Sequence, residues 1–331
     1  MRIGDELWAL GTQAQVARLA VKMRTPELND TADAELACED IVLHANGLAF
    51  SARACGEGPI VLCLHGFPDH RRSYRLQMSA LAKAGFRAVA PSLRGYEPAS
   101  QPRDGDYHVV RMAEDVIAWI DCLGATRVHL VGHDWGAIIA YAAAALAPER
   151  LLSLTTLAVP DLGGLLRHQG LRILPRQLRR SWYILFFQLP WLPDAALQMR
   201  DSALIDKLWH DWSPGWSPPA SELEIVKTAL SKPGVRTAAL AYYRSLFSLG
   251  KQGRQTLALH LRAIETPTLA ITGARDGCMD TSLYEDSMHA NDFPGGLRIE
   301  RIAGAGHFPH QERPEEVNRL LIEWFAQHTP V

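Results

Sequence analysis

Short apolar runs and longer segments of helical periodicity alternate along most of the chain. Alternating runs at residues 41–44 and 48–53, separated by Asn46-Gly47, predict an antiparallel hairpin. The run Ile60–Leu64 is continuously apolar, which is typical of a strand covered on both faces. The same criteria predict strands at residues 87–90, 128–131, 152–157, 268–272 and 297–302, and helices at residues 74–84, 109–123, 137–146 and 314–327.

The alternation stops between residues 161 and 262, where helical patterns rich in Trp, Tyr, Leu and Arg replace the strands. Strands alternating with helices predict a mostly parallel sheet flanked by helices. We therefore expect an α/β core at residues 41–160 and 263–331, an inserted all-helical lid at residues 161–262, and an N-terminal helical extension at residues 1–40.

The extension contains an amphipathic pattern at residues 5–23. We expect this helix to pack on the main domain or on a partner subunit, so a homodimer is one prediction. Contact with a membrane surface is the minor alternative, favoured slightly by Arg18, Lys22 and Arg24.

Composition narrows the class of protein. The 331 residues are 47% hydrophobic and carry a net charge of -2, so no basic surface for nucleic acid is expected. No apolar run approaches the roughly 20 residues of a membrane span, and the N-terminus lacks a signal-peptide pattern. The five scattered cysteines favour reduced thiols and a cytoplasmic location, and no cluster has the spacing of metal ligands.

The strongest chemical motif is a sharp turn after the predicted strand at residues 128–131. The pentapeptide 132–136, Gly-His-Asp-Trp-Gly, has the Gly-x-nucleophile-x-Gly form of a nucleophile elbow, with Asp134 as the nucleophile. The elbow lies at a helix N-terminus, which favours an anion. The alternative is an ordinary turn in which Asp134 caps the helix.

A carboxylate nucleophile selects the substrate. It attacks an sp³ carbon that bears a leaving group, and water can then cleave the resulting alkyl ester at its carbonyl. Asp134 therefore indicates epoxides or alkyl halides as substrates, with no metal or organic cofactor.

Other loops at the carboxyl ends of the predicted strands offer the remaining groups. The backbone N–H groups of Phe67, in His-Gly-Phe-Pro, and of Trp135 are the expected oxyanion donors. His307, on a glycine-rich loop after the last strand, is the candidate general base. Asp276 is the candidate acid that orients it, and Asp161 is the alternative acid.

These motifs together resemble the epoxide hydrolase branch of the α/β-hydrolase superfamily. The resemblance covers roughly residues 40–328 through HGFPDHRRSYR, APSLRGY, VGHDWGA, GARDG and GAGHF. It implies an eight-stranded α/β-hydrolase fold and a reaction that opens an apolar epoxide to a vicinal diol.

The resemblance also implies two tyrosines of the lid that bind and protonate the epoxide oxygen. Tyr183 lies in a Tyr-x-x-x-Phe-Gln pattern followed by Pro190, and Tyr243 directly precedes Arg244. Tyr242 competes with Tyr243 for the second position. Haloalkane dehalogenases share the Asp–His–Asp set and are the nearest alternative, and a catalytically inactive binding protein of the same fold is a further one.

Overall fold

Eight strands form a single sheet in which only the second strand runs against the others. The structure, a computed structural model, describes residues 38–169 and 175–330. The sheet order is β1-β2-β4-β3-β5-β6-β7-β8. The strands are β1 (Cys38–Ala45), β2 (Leu48–Cys55), β3 (Ile60–Leu64), β4 (Arg87–Pro91), β5 (Val128–His133), β6 (Leu151–Leu157), β7 (Thr268–Gly273) and β8 (Leu297–Ile302).

The α-helices separate into those that cover the sheet and those inserted between β6 and β7. They are α1 (Arg75–Lys83), α2 (Val109–Cys122), α3 (Trp135–Leu146), α4 (Leu162–Gly164), α5 (Pro175–Arg180), α6 (Trp182–Phe186), α7 (Leu192–Ala196), α8 (Met199–Trp212), α9 (Ala220–Ser231), α10 (Val235–Ser245), α11 (Lys251–His260), α12 (Thr281–Glu285), α13 (Pro309–Glu312) and α14 (Pro314–His328). A π-helix at Leu165–Gln169 follows α4, and short 3₁₀ turns occur at Arg71–Tyr74, Pro98–Ser100, Pro148–Arg150 and Ala290–Asp292.

Two hydrophobic clusters lie on the two faces of the sheet. Leu81 of α1 and Phe325 of α14 belong to one cluster, and Trp119 of α2 and Ile139 of α3 belong to the other. The second cluster also contains Tyr243 of the inserted helices, so the insertion shares a core with this face of the sheet. The parallel strands between these layers are apolar throughout because both of their faces are buried.

The hairpin of β1 and β2 confirms one sequence prediction and corrects another. The strands pair in antiparallel register around Asn46-Gly47, as predicted. The register also places Cys38 opposite Cys55, and the two form a disulfide. The expectation that all five thiols are reduced is therefore wrong for this pair, while Cys63, Cys122 and Cys278 are free. The cytoplasmic location stays a prediction.

The predicted fold class, an α/β-hydrolase sheet with an inserted helical lid, is confirmed. The exact limits of the three predicted segments stay predictions. The predicted helix at residues 5–23 lies outside the described residues. None of the helices in the described ranges has the length and apolar character that a membrane span requires.

Candidate active site

The turn between β5 and α3 has the geometry of a nucleophile elbow. Asp134 joins strand to helix with φ 52° and ψ −117°, a conformation that residues with a Cβ rarely adopt. Gly136 allows the close approach of backbones here, because a Cβ at that position would lie 2.1 Å from the carbonyl oxygen of Leu64. The Asp134 side chain makes no capping hydrogen bond to α3, so it does not act as an ordinary helix cap.

The loop after β3 holds the Asp134 carboxylate from the opposite side. The backbone N–H of Phe67 donates to Asp134 Oδ1 at 2.8 Å. Gly66 makes this approach possible, since a Cβ there would lie 2.5 Å from the Cβ of Asp134. Among the hydrogen bonds of the described residues, none runs from the Trp135 N–H to this carboxylate. One of the two expected oxyanion donors is therefore already aimed at Asp134, and the other stays a prediction.

His307 lies between two carboxylates in the interior. Its Nδ1 is 3.0 Å from Asp276 Oδ2, and its Nε2 is 3.4 Å from Asp134 Oδ2. Burial alone would disfavour the imidazolium, but Cys278 and the carboxylates of Asp276 and Asp134 outweigh it and raise the pKa of His307 well above its ordinary value. The imidazole therefore connects the nucleophile to a second acid.

The structure pairs His307 with Asp276 rather than with the alternative acid, Asp161. The free oxygen of Asp276, Oδ1, accepts hydrogen bonds from the backbone N–H groups of Cys278 and Met279 at 2.7 and 2.9 Å. Asp161 instead caps α4, where its Oδ2 accepts from the Gly164 N–H at 2.6 Å. The backbone bonds fix Asp276 in the orientation that its contact with His307 requires.

Two buried tyrosines of the inserted helices face the same carboxylate. The rings of Tyr183 and Tyr243 lie 5.7 Å apart, and the Tyr243 ring lies 5.3 Å from that of Phe67, whose N–H binds Asp134, and 5.0 Å from that of Trp135, the next residue. Burial raises the pKa of both phenols well above the usual value, and the charge of Asp134 adds to the rise. Both phenols therefore stay protonated at neutral pH.

The helix phase separates Tyr243 from its competitor. The Tyr242 hydroxyl donates to the carbonyl oxygen of Arg94 at 2.5 Å, so it is engaged away from the elbow. The Tyr243 hydroxyl is buried and forms no hydrogen bond of normal geometry among the described residues, although the nearby Trp135 side chain offsets part of the rise in its pKa. A buried unpaired hydroxyl is costly unless a ligand completes it, which makes Tyr243 the phenol free to meet a substrate.

Two groups of buried side chains bring metal-binding atoms within 4.8 Å of one another. One group is Asp69, His133 and His310, and the other is Asp276, Cys278 and His307. Asp69, His133 and His310 are far apart in the chain, so sequence spacing could not reveal that group, whereas Asp276 and Cys278 of the other group are two residues apart. The second group coincides with the pair already described, where His307 is engaged with Asp276.

Comparisons with known proteins give the family. A family model for the alpha/beta hydrolase fold matches residues 59–314. Human epoxide hydrolase 4 is 29% identical over 98% of this chain and 88% of its own length, and mouse epoxide hydrolase 3 is 32% identical over 80% and 70%. The crystal structure of an epoxide hydrolase from Vigna radiata superimposes with a TM-score of 0.74 at 29% identity, covering 88% of this chain and 98% of that one.

The chain belongs to the epoxide hydrolase branch of the α/β-hydrolase superfamily. It is therefore a hydrolase of the class that acts on ether bonds. The human alignment spans 98% of the chain, so it extends into the first 40 residues, which the resemblance seen in the sequence did not cover.

The site of this epoxide hydrolase also contains residues that the sequence did not single out. Glu312 is buried and accepts hydrogen bonds from the backbone N–H groups of Gly306 and Phe308 and from the Ser213 hydroxyl, at 2.7, 3.0 and 2.7 Å. The Ser213 oxygen in turn accepts from the His307 N–H at 3.0 Å. Glu312 thereby fixes the loop that carries His307 and joins it to the end of α8.

Two further neighbours of His307 come from motifs that the sequence did highlight. His133, the residue before Asp134, has its Nε2 2.8 Å from the His307 carbonyl oxygen. Cys278, two residues after Asp276, lies 3.3 Å from the Tyr183 hydroxyl. Their positions beside Asp134 and Asp276 were the only sequence signal available for either one.

Removing the Glu312 carboxylate should loosen the His307 loop. We expect Glu312→Ala to lower the free energy of unfolding by about 2–4 kcal/mol, since it leaves three donors unpaired in the interior. Urea unfolding followed by circular dichroism measures this. Glu323→Ala, at an exposed position of α14, is the control and should change stability by less than about 0.5 kcal/mol. Equal stabilities of the two variants would contradict this role for Glu312.

Proposed function

We propose that this enzyme opens apolar epoxides to vicinal diols through a covalent alkyl ester on Asp134. The observation that carries the proposal is that two buried, protonated phenols, Tyr183 and Tyr243, lie near the carboxylate that His307 also contacts. An epoxide needs both an attacking group at carbon and an acid at oxygen, since its alkoxide is too basic to leave unaided.

In the first step Asp134 attacks an epoxide carbon and the carbon–oxygen bond of the ring breaks. One of the two tyrosines gives its proton to the released oxygen and becomes a phenolate, while the other donates a hydrogen bond. The product is an ester that carries a neighbouring hydroxyl. The position of Tyr183 and Tyr243 near the elbow supports assigning the proton transfer to these two tyrosines.

In the second step water attacks the ester carbonyl while His307 takes a proton from it. The oxyanion would be held by the N–H groups of Phe67 and Trp135. Collapse releases the diol alkoxide, which takes the proton from His307, and the carboxylic acid of Asp134 returns a proton to the tyrosine. The net change is the addition of one water to the epoxide.

Product analysis distinguishes this reaction from its alternatives. The enzyme is incubated with styrene oxide and, separately, with 1,2-dibromoethane, and diol and bromide are measured. We expect diol and no bromide. Bromide without diol would make the chain a dehalogenase, and absence of both products over a series of aryl and alkyl epoxides would favour a binding protein.

Substitution of the tyrosines should slow ester formation. We expect Tyr183→Phe and Tyr243→Phe each to reduce its rate by about 10²-fold, and the double substitution by about 10³–10⁴-fold, within the range of general acid catalysis. Rapid-quench single turnovers measure the rate. Tyr242→Phe is the matched control, because its hydroxyl bonds to Arg94, and it should change the rate only a few-fold. An equal loss in all three single variants would refute the assignment.

The pH dependence of the two steps should differ. Ester formation neutralises Asp134, one of the charges that raise the pKa of His307, so the pKa of His307 should be lower in the ester than in the free enzyme. Ester hydrolysis needs neutral His307 and should therefore fall at acid pH, with a midpoint below that of His307 in the free enzyme. Ester formation should persist at alkaline pH beyond the ordinary pKa of a phenol, because both tyrosine pKa values are raised.

Stopped-flow single turnovers over a pH series measure both rates, and NMR of ring-labelled histidine gives the pKa of His307 in the free enzyme. Identical histidine midpoints in the free enzyme and in the ester would contradict the electrostatic account. Loss of ester formation at a pH near the ordinary pKa of a free phenol would contradict the raised pKa values of the two tyrosines.

A further inference from the structure

The inserted helices carry a concentration of exposed apolar side chains that the active site does not use. Six of them flank the junction between the α6–α7 connection and the end of α10, and we name this set the apolar lid face. It consists of Trp182, Leu185, Leu189, Trp191, Phe247 and Leu249. Trp191 is 81% exposed and Leu249 is 87% exposed, far more than large apolar side chains of a covered surface.

Hydrogen bonds show that the two segments adjoin. The Arg244 guanidinium donates to the carbonyl oxygens of Phe187 and Leu189, both at 3.1 Å. The Gln188 side chain donates to the Tyr243 carbonyl oxygen at 3.1 Å. The exposed residues that follow Leu189 and Arg244 therefore emerge from one junction of the inserted segments.

The charged residues of the same segments are all basic. Residues 162–193 contain five arginines and residues 225–264 contain seven lysines and arginines, and neither segment contains an Asp or Glu. The whole chain has 36 acidic and 34 basic residues, so this separation contrasts with its near-neutral total. Five of these cations pair with carboxylates outside the two segments, whereas the exposed Arg179 and Lys251 form no ion pair within residues 38–169 and 175–330.

We propose that the apolar lid face docks on an anionic lipid surface. Exposed Trp, Phe and Leu insert at the boundary between headgroups and acyl chains, and surrounding Lys and Arg are attracted by anionic headgroups. A second copy of the chain fits less well, because a two-fold contact would oppose this basic surface to itself. The docking does not depend on the proposed reaction.

Vesicle co-sedimentation of the full chain tests the docking. The vesicles contain phosphatidylcholine alone or phosphatidylcholine mixed with phosphatidylserine. We expect binding to the mixed vesicles that weakens at high salt, and weaker binding to phosphatidylcholine alone. A chain that stays in the supernatant with mixed vesicles at low salt would overturn the proposal.

Two double substitutions locate the contact. Arg179→Glu with Lys251→Glu should weaken binding by about thirtyfold or more, at roughly one headgroup attraction lost per cation. Trp191→Ser with Leu249→Ser should weaken it by about tenfold or more through lost apolar burial. The matched controls are Lys83→Glu and Leu76→Ser, exposed positions on α1, which should bind as the wild type does. Thermal unfolding followed by circular dichroism should be unchanged in all four.

The other possible occupants give distinct results. Lid variants that bind vesicles as well as the wild type would overturn the proposal, because the contact would then lie elsewhere, such as in residues 1–37. A wild-type dimer that becomes a monomer in Trp191→Ser with Leu249→Ser, without vesicle binding by either protein, would assign the surface to a second copy instead.

Discussion

Asp134→Ala should reduce epoxide turnover by about 10⁴-fold or more and should leave no covalent intermediate. The substitution removes the attacking oxygen, while Tyr183, Tyr243 and the His307–Asp276 pair remain. These groups could still polarise an epoxide and activate water, but direct attack of water on the epoxide carbon lacks the positioned nucleophile. Quenched-flow mass spectrometry of the intact protein measures the intermediate, and product analysis measures turnover.

Alanine keeps a Cβ at φ 52°, so the substitution leaves the backbone strain of the elbow as it is in the wild type. The fold should therefore survive, and thermal unfolding is the check. Asp161→Asn is the matched control, since this acid also follows a central strand but caps α4, and its turnover should change only a few-fold. Turnover of Asp134→Ala within tenfold of the wild type would show that the carboxylate is not the nucleophile.

His307→Gln should separate the two steps. Asp134 and the tyrosines remain, so the ester should form, but no base is left to activate water. We expect a stoichiometric ester on the peptide that contains Asp134 and a fall in turnover of about 10³-fold or more. The fall should appear in the hydrolysis rate, while ester formation should change far less.

The partner of His307 allows a finer test of the same step. Asp276→Asn should slow ester hydrolysis by about 10²–10⁴-fold, since it removes the carboxylate that orients and stabilises the imidazolium. Asp161→Asn should leave hydrolysis nearly unchanged. If His307→Gln formed no ester at all, or if Asp161→Asn were slower than Asp276→Asn, the assigned roles would be wrong.

Much of the fold could be predicted because local patterns and global architecture agree. Continuous apolar runs at β3, β5 and β7 are strands buried on both faces, and the pattern has that form because helices cover both sides. The elbow could be predicted because a sharp strand-to-helix turn packed closely against neighbouring backbone requires glycines at a fixed spacing. Asp276, His307 and Tyr243 were then located by order along the chain and by family motifs.

The disulfide was missed because the predicted hairpin was too short. With strands at residues 41–44 and 48–53, Cys38 and Cys55 fell outside both. Extending the pairing outward from Asn46-Gly47 places them opposite each other, as the register shows. Period-two patterning weakens at strand ends, where side chains are half-exposed, so the sequence did not mark the extension.

The residues that support the site could not be predicted for a different reason. Glu312, Ser213 and His307 come together only when α8, α13 and the loop after β8 have packed. A Glu at the end of a short helix is common, and nothing in the local sequence distinguishes one that is buried and accepts three hydrogen bonds. The exposed lid surface could not be predicted either, because exposed and buried Trp, Phe and Leu of the inserted segments look alike in the sequence.

A single turnover in ¹⁸O-water with excess unlabelled enzyme tests the covalent ester on Asp134 most directly. We expect the first diol to contain only ¹⁶O, because its new oxygen comes from the Asp134 carboxylate, and the peptide containing Asp134 to gain one ¹⁸O. A first diol that already carries ¹⁸O, with an unlabelled Asp134 peptide, would mean that water attacks the epoxide directly and would contradict the account.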